Sequence, residues 1–354
     1  MIKAEIVGDS LSPQGERLTS LLITFPRIIL SEINTHRMLS KNTSSSRAIP
    51  FKKMVEAVEE NPFIPIAFQK HHSGMQGTEY ITNHLELELA KTAWLEAKDE
   101  AIFRAKFLYE SAGVTKQLAN RLLEPFMWTT MLITGSKEGW DNFFELRCPS
   151  YSISELIDGD NRVFKSKKDL LKELDYEPIY PDSDLEWLQI NKGQAEIHIM
   201  DLAEKIYDAM NESTPRQLKP GEWHIPFRDK IDKMGIKPLI KTIDIHSEEF
   251  KKHIPTYVKV STAMAARTSY TVVGDEKEIN YERMVELHDR LIAQNPPHSS
   301  PMEHCARAMS DQEFISYFRG ELPKEDKEMT YSGRHGWCRN FKGFIPYRHI
   351  IESK

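Results

Sequence analysis

The alternation of apolar and polar positions divides the chain into strand-like, helical and irregular stretches. Residues 19–30, TSLLITFPRIIL, are rich in β-branched and apolar side chains. They predict a buried strand with Pro26 at a bulge or an edge, because proline cannot donate to a sheet ladder. Residues 31–50 are polar and serine-rich and end at Pro50. FKKMVEAVEE (51–60) predicts a helix, and a loop poor in helix formers follows. From 84 to 123 the pattern is helical, with Gly113 as a stop, and two more helices are expected over 115–147 around Pro125 and Gly135. Residues 148–193 change character and read as an insertion with one short helix of its own. Residues 194–211 carry apolar side chains three and four apart, the mark of a core-facing amphipathic helix. After a loop over 213–227, residues 254–270 begin a strand or a helix. NYERMVELHDRLIAQ is an amphipathic helix, PPHSSPMEH a turn, and the tail YSGRHGWCRNFKGFIPYRHII aromatic and basic. No internal repeat or low-complexity run stands out.

Composition narrows the class of protein. The chain has 354 residues, 40% hydrophobic and 28% charged, enough for a sizeable core in a soluble protein. A net charge of -6 argues against a general nucleic-acid binder, though not against a local basic pocket for one phosphorylated ligand. No window approaches 18 apolar residues and no signal-peptide pattern opens the chain, so no membrane partner is expected. The three cysteines, Cys148, Cys305 and Cys338, are too few for a disulfide framework and lack zinc spacing. A cytoplasmic, reducing setting is the plain reading. Of the histidines, those at 71–72, 298 and 304 lack metal-ligand spacing on a helix, so no metal is expected.

Three groups of residues carry candidate chemistry. In the first, THRMLSKNTSSSRA, an extended backbone would point Ser45 and Arg47 to one side. A hydroxyl beside a guanidinium fork can grip a phosphate, and His36 and Arg37 add positive charge upstream. A solvated basic loop accounts for the residue types equally well. The second group, NRLLEPFMWTT, DNFFELR and GQAEI, holds Arg121, Asn142 and Arg147. Alone, Arg147 reads as an arginine capping carbonyls at a helix C-terminus. The third, AARTSY (265–270) and HSSPMEH (298–304), suits a tight turn presenting a hydroxyl and a carboxylate. It also suits a capped helix start, with Ser299 or Ser300 as cap, Pro301 in the first turn and Glu303 closing a capping box.

The spacing in the first group resembles the signature R-H-R-x-x-S-x-N-E-x-S-x-R of flavin-dependent thymidylate synthases. His36, Arg37, Ser40, Asn42, Ser45 and Arg47 fall in register, while Thr35 and Thr43 replace the first arginine and the glutamate. The second group is similar to that family's A-R-x-x-L-P-x-x-x-x-T, N-F-L-x-L-R and A-Q-x-E-I. The third is similar to its A-R-V-S-Y, helix, H-x-[ST]-P-F-E-H. That third block lies at the N-terminus in the family and near the C-terminus here, so a circular permutation is expected, which close surface termini allow. The resemblance covers roughly 18–60, 115–147, 194–225 and 258–348.

The resemblance implies one domain over 1–354 of α/β (α+β) class, with a central, mostly antiparallel sheet flanked by helices. Residues 258–354 would match the N-terminal part of the usual order. It implies methylation of dUMP to dTMP, with methylenetetrahydrofolate as carbon donor and NADPH-reduced FAD as hydride source. Ser45, Arg47 and Arg121 would hold the nucleotide, and Arg147 would bind and polarise the pyrimidine. His36, Arg37, Asn142, Ser269, Ser300 and Glu303 would hold FAD, with His298 near flavin and folate. A homotetramer with sites between subunits is expected. The departures at Thr35 and Thr43 and the insertion leave two alternatives: a dUMP or dCMP hydroxymethylase, with Cys148 as a conceivable nucleophile, or a non-catalytic nucleotide-binding homologue.

Overall fold

The apolar run near the N-terminus forms β2 (Arg17–Pro26), the middle of a five-stranded sheet. The structure is a computed structural model. It describes residues 1–73, 77, 79–152, 162–174, 181, 183–191, 195–234, 254–270, 273, 280–295, 297–318 and 341–352. Leu18, Leu21, Ile23 and Phe25 are fully buried on β2. The strand pairs antiparallel with β1 (Lys3–Leu11) on one side and with β4 (Trp128–Ser136) on the other, from Leu18↔Ser136 to Pro26↔Trp128. Pro26 stands at neither a bulge nor an edge. It is the last residue of β2, and the ladder continues beyond it as Arg27 donates its N–H to the Met127 carbonyl at 2.9 Å.

On the far side of β4 lies β3 (Ser40–Thr43), antiparallel, and on the far side of β1 lies β7 (Arg216–Gln217), parallel. The sheet order is β3-β4-β2-β1-β7, so the expected central and mostly antiparallel sheet is present. Four of its five strands were not expected: β3 falls in the polar, serine-rich stretch and β7 in the 213–227 loop. β1 carries too few apolar residues to stand out. Residues 128–136 fall where helices were predicted, because Thr129 to Ser136 are buried on both faces and leave no alternation to read.

Helices cover the sheet. α1 (Leu30–Thr35) follows β2, and α2 (Phe51–Glu60) and the 23-residue α3 (His84–Lys106) pack with α4 (Lys116–Ala119) and the 3-10 turn Asn120–Phe126. α5 (Lys137–Arg147) buries Trp140, Phe143 and Phe144 against β2 and the amphipathic α8 (Ile197–Glu212). Over 148–193, the stretch expected to be an insertion, the described residues form a short strand pair, β5 (Tyr151–Ser152) and β6 (Val163–Phe164), and two helices where one was expected, α6 (Lys167–Glu173) and α7 (Asp184–Ile190). Ser166 and Ser183 cap these helices, each hydroxyl accepting from the N–H three residues on. Residues 153–161 and most of 175–182, also in this stretch, lie outside the described residues, as does Cys338.

A second sheet of three short strands, β8 (Trp223–His224), β9 (Ala306–Ala308) and β10 (Phe344–Pro346), lies beside the first. Around it are α9 (Arg228–Lys233), α10 (Thr256–Arg267), α11 (Tyr281–Ala293), α12 (Asp311–Phe318) and α13 (Tyr347–Glu352). Residues 256–267 therefore settle as helix. One apolar cluster contains Val7 and Leu132 of the large sheet together with Trp223, Val258, Met302 and Tyr347. Among the described residues no helix is long and apolar enough to cross a membrane.

A buried polar seam joins the two sheets. Ser10 Oγ meets His224 Nδ1 (2.9 Å), and His224 Nε2 meets Ser20 Oγ (2.8 Å). Ser20 Oγ meets Thr134 Oγ1 (2.6 Å), which meets His304 Nδ1 (2.8 Å). Burial lowers His224 to about 4 and His304 to about 3, so both rings are neutral. An unfolded histidine gains a proton below about pH 6.5, which these rings resist until far lower pH. Their contribution to stability is thus complete above pH 6.5 and lost as pH falls toward 4. Half-buried Glu204 opposes this trend, because desolvation raises it to about 7 and its contribution is lost as pH rises through that value. Burial also lowers His36 and His288 and raises Glu32 and Asp208, so four histidines against three carboxyls should lower the melting temperature between pH 6.5 and 4.5. His224→Gln, which removes one titrating ring, should lose less over that interval. A flat profile in both proteins would sink this account.

Candidate functional site

The seed of the site is Asn42, on the edge strand β3 and itself buried. Its Nδ2 donates to the Ala265 carbonyl at the end of α10. Its Oδ1 accepts from Ser269 Oγ (3.4 Å) and from Ser300 Oγ (3.5 Å). Nearby, the Ser45 N–H donates to the Ser269 carbonyl at 3.0 Å. Residues 227 and 258 positions away along the chain thereby meet β3. The first and third sequence groups are brought together although they lie far apart in the chain.

The third group is not a capping box. Residues Ser300–Glu303 form a 3-10 turn without a side-chain cap. Ser300 turns toward Asn42 instead, and Glu303 is bound by Arg348, which also donates to Glu352 at 2.9 Å. Arg348 belongs to the basic tail and was not among the candidates. Lys41, beside Asn42, was also missed. Its Nζ donates to the carbonyls of His36 and Ile33 (3.4 Å for the latter). Burial lowers Lys41 to about 8, while Glu303 pulls it back up, so the two groups are electrostatically linked.

His36 and Arg147 meet across α1 and α5. Arg147 Nε donates to His36 Nε2 at 3.0 Å, and its Nη1 lies 3.6 Å from Glu32 Oε2. His36 is buried with its ring edge-on to Phe143, centroids 4.8 Å apart. Burial, then Arg147 and Lys41, lower it to about 4. The expectation that His36 adds positive charge is therefore corrected: the ring is a neutral acceptor held by a guanidinium. Arg147 reaches across to α1 rather than capping α5, whose end is closed by the Cys148 N–H on the Phe144 carbonyl at 3.0 Å. Of five guanidinium N–H groups, one is spent on His36, which leaves others for a ligand.

The backbone over Ser45–Arg47 is a turn, not the extended segment expected: the Ser45 carbonyl accepts from the N–H groups of Ala48 (2.9 Å) and Ile49 (3.1 Å). Fully buried Asn120 fixes this turn through Nδ2, which donates to the carbonyls of Ser46 (2.7 Å) and Ile49 (3.1 Å). Arg121, next in the chain, stands exposed, as does Arg47. Arg27 lies close by, donating to the Ser44 carbonyl at 2.9 Å; its pKa is lowered by burial, with Arg121 adding to that shift and Glu124 opposing it. First and second groups are thus joined through Asn120. A cavity of about 80 Å³ lies between the first and second groups, lined by Ser44, Ile49, Met127, Trp128 and Val273 with part of α2.

Three other candidates face solvent. Asn142 is exposed on the outer face of α5, on the side opposite Phe143 and Phe144. His298 and Arg37 are exposed as well. The Cys148 thiol is pushed far above its ordinary value, chiefly by burial, which opposes a nucleophilic thiolate. Among the described residues no cluster of three or more potential ligands could hold a metal ion.

No protein-family model matches the chain, and no curated protein matches it. Solved structures similar to it include the UMP/dUMP methylase PolB from Streptomyces cacaoi bound with 5-Br UMP, at 14% identity and a TM-score of 0.40, covering 60% of this chain and 89% of that one. Thymidylate synthase ThyX from Helicobacter pylori, complexed with FAD and dUMP, is similar at 18% identity and a TM-score of 0.28, covering 55% of this chain and 67% of that one. At these TM-scores neither likeness carries an argument about what this chain does.

Asn42→Ala removes the donor to the Ala265 carbonyl and the shared acceptor of two serines. It should cost about 1–3 kcal/mol of stability. Asn42→Asp, which cannot donate to that carbonyl when ionised, should cost at least as much. Urea midpoints measure both, and unchanged midpoints would show that Asn42 does not tie these segments together.

Proposed function

We propose that the protein is a flavin-dependent enzyme that modifies the C5 position of a pyrimidine deoxynucleotide, with methylation of dUMP as its reaction. The supporting observation is Asn42, which joins residues of two motif blocks that are distant in sequence yet adjoining in the fold. Such convergence is what a shared ligand site requires, and unrelated chance matches would scatter over the surface.

The residues around Asn42 suit a flavin. The Ser269 and Ser300 bonds to Asn42, at 3.4 and 3.5 Å, are at the limit of hydrogen bonding, so both hydroxyls can turn to a ligand. Glu303 offers a carboxylate to ligand hydroxyls, and Lys41 and Arg37 offer positive charge to an electron-rich ring. Reduced flavin bound there would supply the hydride, having been reduced by NADPH, while methylenetetrahydrofolate would supply the carbon. His298 would lie toward the folate and Asn142 toward the flavin. A partner subunit in a homotetramer would complete the site.

The chain's own part is positioning and electrostatics. Ser45, Arg47 and Arg121 bind the nucleotide phosphate. Arg147 donates to a pyrimidine carbonyl and draws electron density from the ring; neutral His36 holds its Nε and so fixes the direction of the fork. A lysine at Arg147 could not bond His36 and a carbonyl with the same fixed geometry. The reading uses no cysteine nucleophile.

The purified protein should be yellow, with flavin absorbance. Incubated with dUMP, methylenetetrahydrofolate, FAD and NADPH, it should yield a nucleotide heavier by one methyl group. Gain of a hydroxymethyl group would move the assignment to hydroxymethylation, and a colourless protein that alters neither dUMP nor dCMP would remove the catalytic reading. Cys148→Ala should keep turnover within about twofold of wild type, because a thiol this strongly protonated is no nucleophile at neutral pH. Abolished turnover in a folded Cys148→Ala protein would reinstate the thiol.

A further inference from the structure

Glu124 occupies an unusual place. It lies in the 3-10 turn Asn120–Phe126, between Arg121 and Pro125. The sequence there is R-L-L-E-P, where the family pattern A-R-x-x-L-P has leucine, so a carboxylate stands where an apolar side chain is usual. Glu124 Oε1 accepts from Ser46 Oγ at 2.6 Å and from Arg27 Nη2 at 3.4 Å. Ser46 lies between Ser45 and Arg47. Arg27 is anchored from its other side by the Ser44 carbonyl, so its fork does not swing freely. Glu124 itself is about one-fifth exposed, at 22%, and can turn toward water.

We infer that Glu124 is the resident counter-anion of an anion site formed by Arg27, Arg47, Arg121 and Ser46, and that a phosphomonoester displaces it on binding. This rests on the reading that Ser45, Arg47 and Arg121 hold the nucleotide phosphate. The donors that hold the carboxylate, a hydroxyl and a guanidinium fork, are the ones a phosphate takes. Two anions cannot share them, because like charges at such distances repel. Glu124 therefore acts as an internal competitor. A competitor of this kind weakens every anion by one common factor, so only a ligand that binds the arginines strongly, such as a dianionic phosphomonoester, stays bound. Without Glu124, the arginines would hold any anion more strongly.

Calorimetric titration of inorganic phosphate, acetate and dUMP into the full-length protein tests this, alongside Glu124→Gln and Glu124→Asp. Glu124→Gln should bind phosphate about fivefold tighter and acetate tighter by a similar factor, since removing one competing charge at a partly exposed site is worth about that factor. Glu124→Asp, which keeps the charge, should gain nothing. Adding Arg121→Ala to Glu124→Gln should abolish the gain, which places it at this site. Glu124→Ala carries the same expectation should the glutamine variant not fold. Phosphate affinity that is unchanged or weaker in the folded neutral variants overturns the inference, as does a gain that survives Arg121→Ala, or failure of both neutral variants to fold. The nucleotide reading fails differently: phosphate still tightens in Glu124→Gln, but dUMP binds no better than phosphate and is not turned over.

Discussion

A buried amide must spend its hydrogen bonds inside the protein, and Asn42 spends its own on two segments that the chain reaches only much later. The edge strand β3, the end of α10 and the turn at Ser300 are held in one place by this group. The site's outline follows. Ser45 is hydrogen-bonded to Ser269 because β3 has already met that segment, and Glu303 lies near Lys41 for the same reason. Leaving any of these contacts unmade would strand a polar atom in a dry region, so the arrangement is held as much by the cost of opening it as by the strength of its bonds.

Charge is distributed around this anchor in a graded way. Deepest are neutral rings: His36, His224 and His304, all kept uncharged by burial. Partly buried cations come next, with Lys41 lowered to about 8 and Arg147 shared between His36 and Glu32. At the rim stand Arg47 and Arg121, exposed, with Glu124 as nearby carboxylate. A ligand with an anionic tail and a planar head would meet charge at the rim and fixed dipoles farther in. That order suits binding first and orientation second.

The stretch 148–193 follows its own rules. Tyr151, Leu170 and Trp187 make a small core, and Glu204 on α8 ties it down, accepting from the Tyr151 hydroxyl (2.9 Å) and the Lys167 N–H (2.6 Å). It is thus fastened to the same helix that packs under α5, the helix whose end carries Arg147. Its placement beside the site is a consequence of that helix, not of any motif within it.

Local signals were legible in the sequence alone. The helices at 51–60 and 281–293 follow from their periodicity, β2 from its β-branched run, the candidates His36, Ser45 and Arg47 from residue type and spacing, and Ser269 and Ser300 from the family resemblance. Sequence could not give β4, whose side chains are buried on both faces and so show no period, nor β1, whose exposed positions hide its pairing. It mistook the Ser45–Arg47 turn for an extended segment, since the carbonyl bonds and the Asn120 clamp that close it come from elsewhere. It assigned His36 a charge that only burial beside Arg147 removes. Residue identity and spacing are properties of the chain, but pKa, hydrogen-bond partner and neighbour depend on what folding brings within a few ångströms. For Asn42, Glu124 and Arg348 those neighbours are far away in sequence, and only the tertiary structure could decide them.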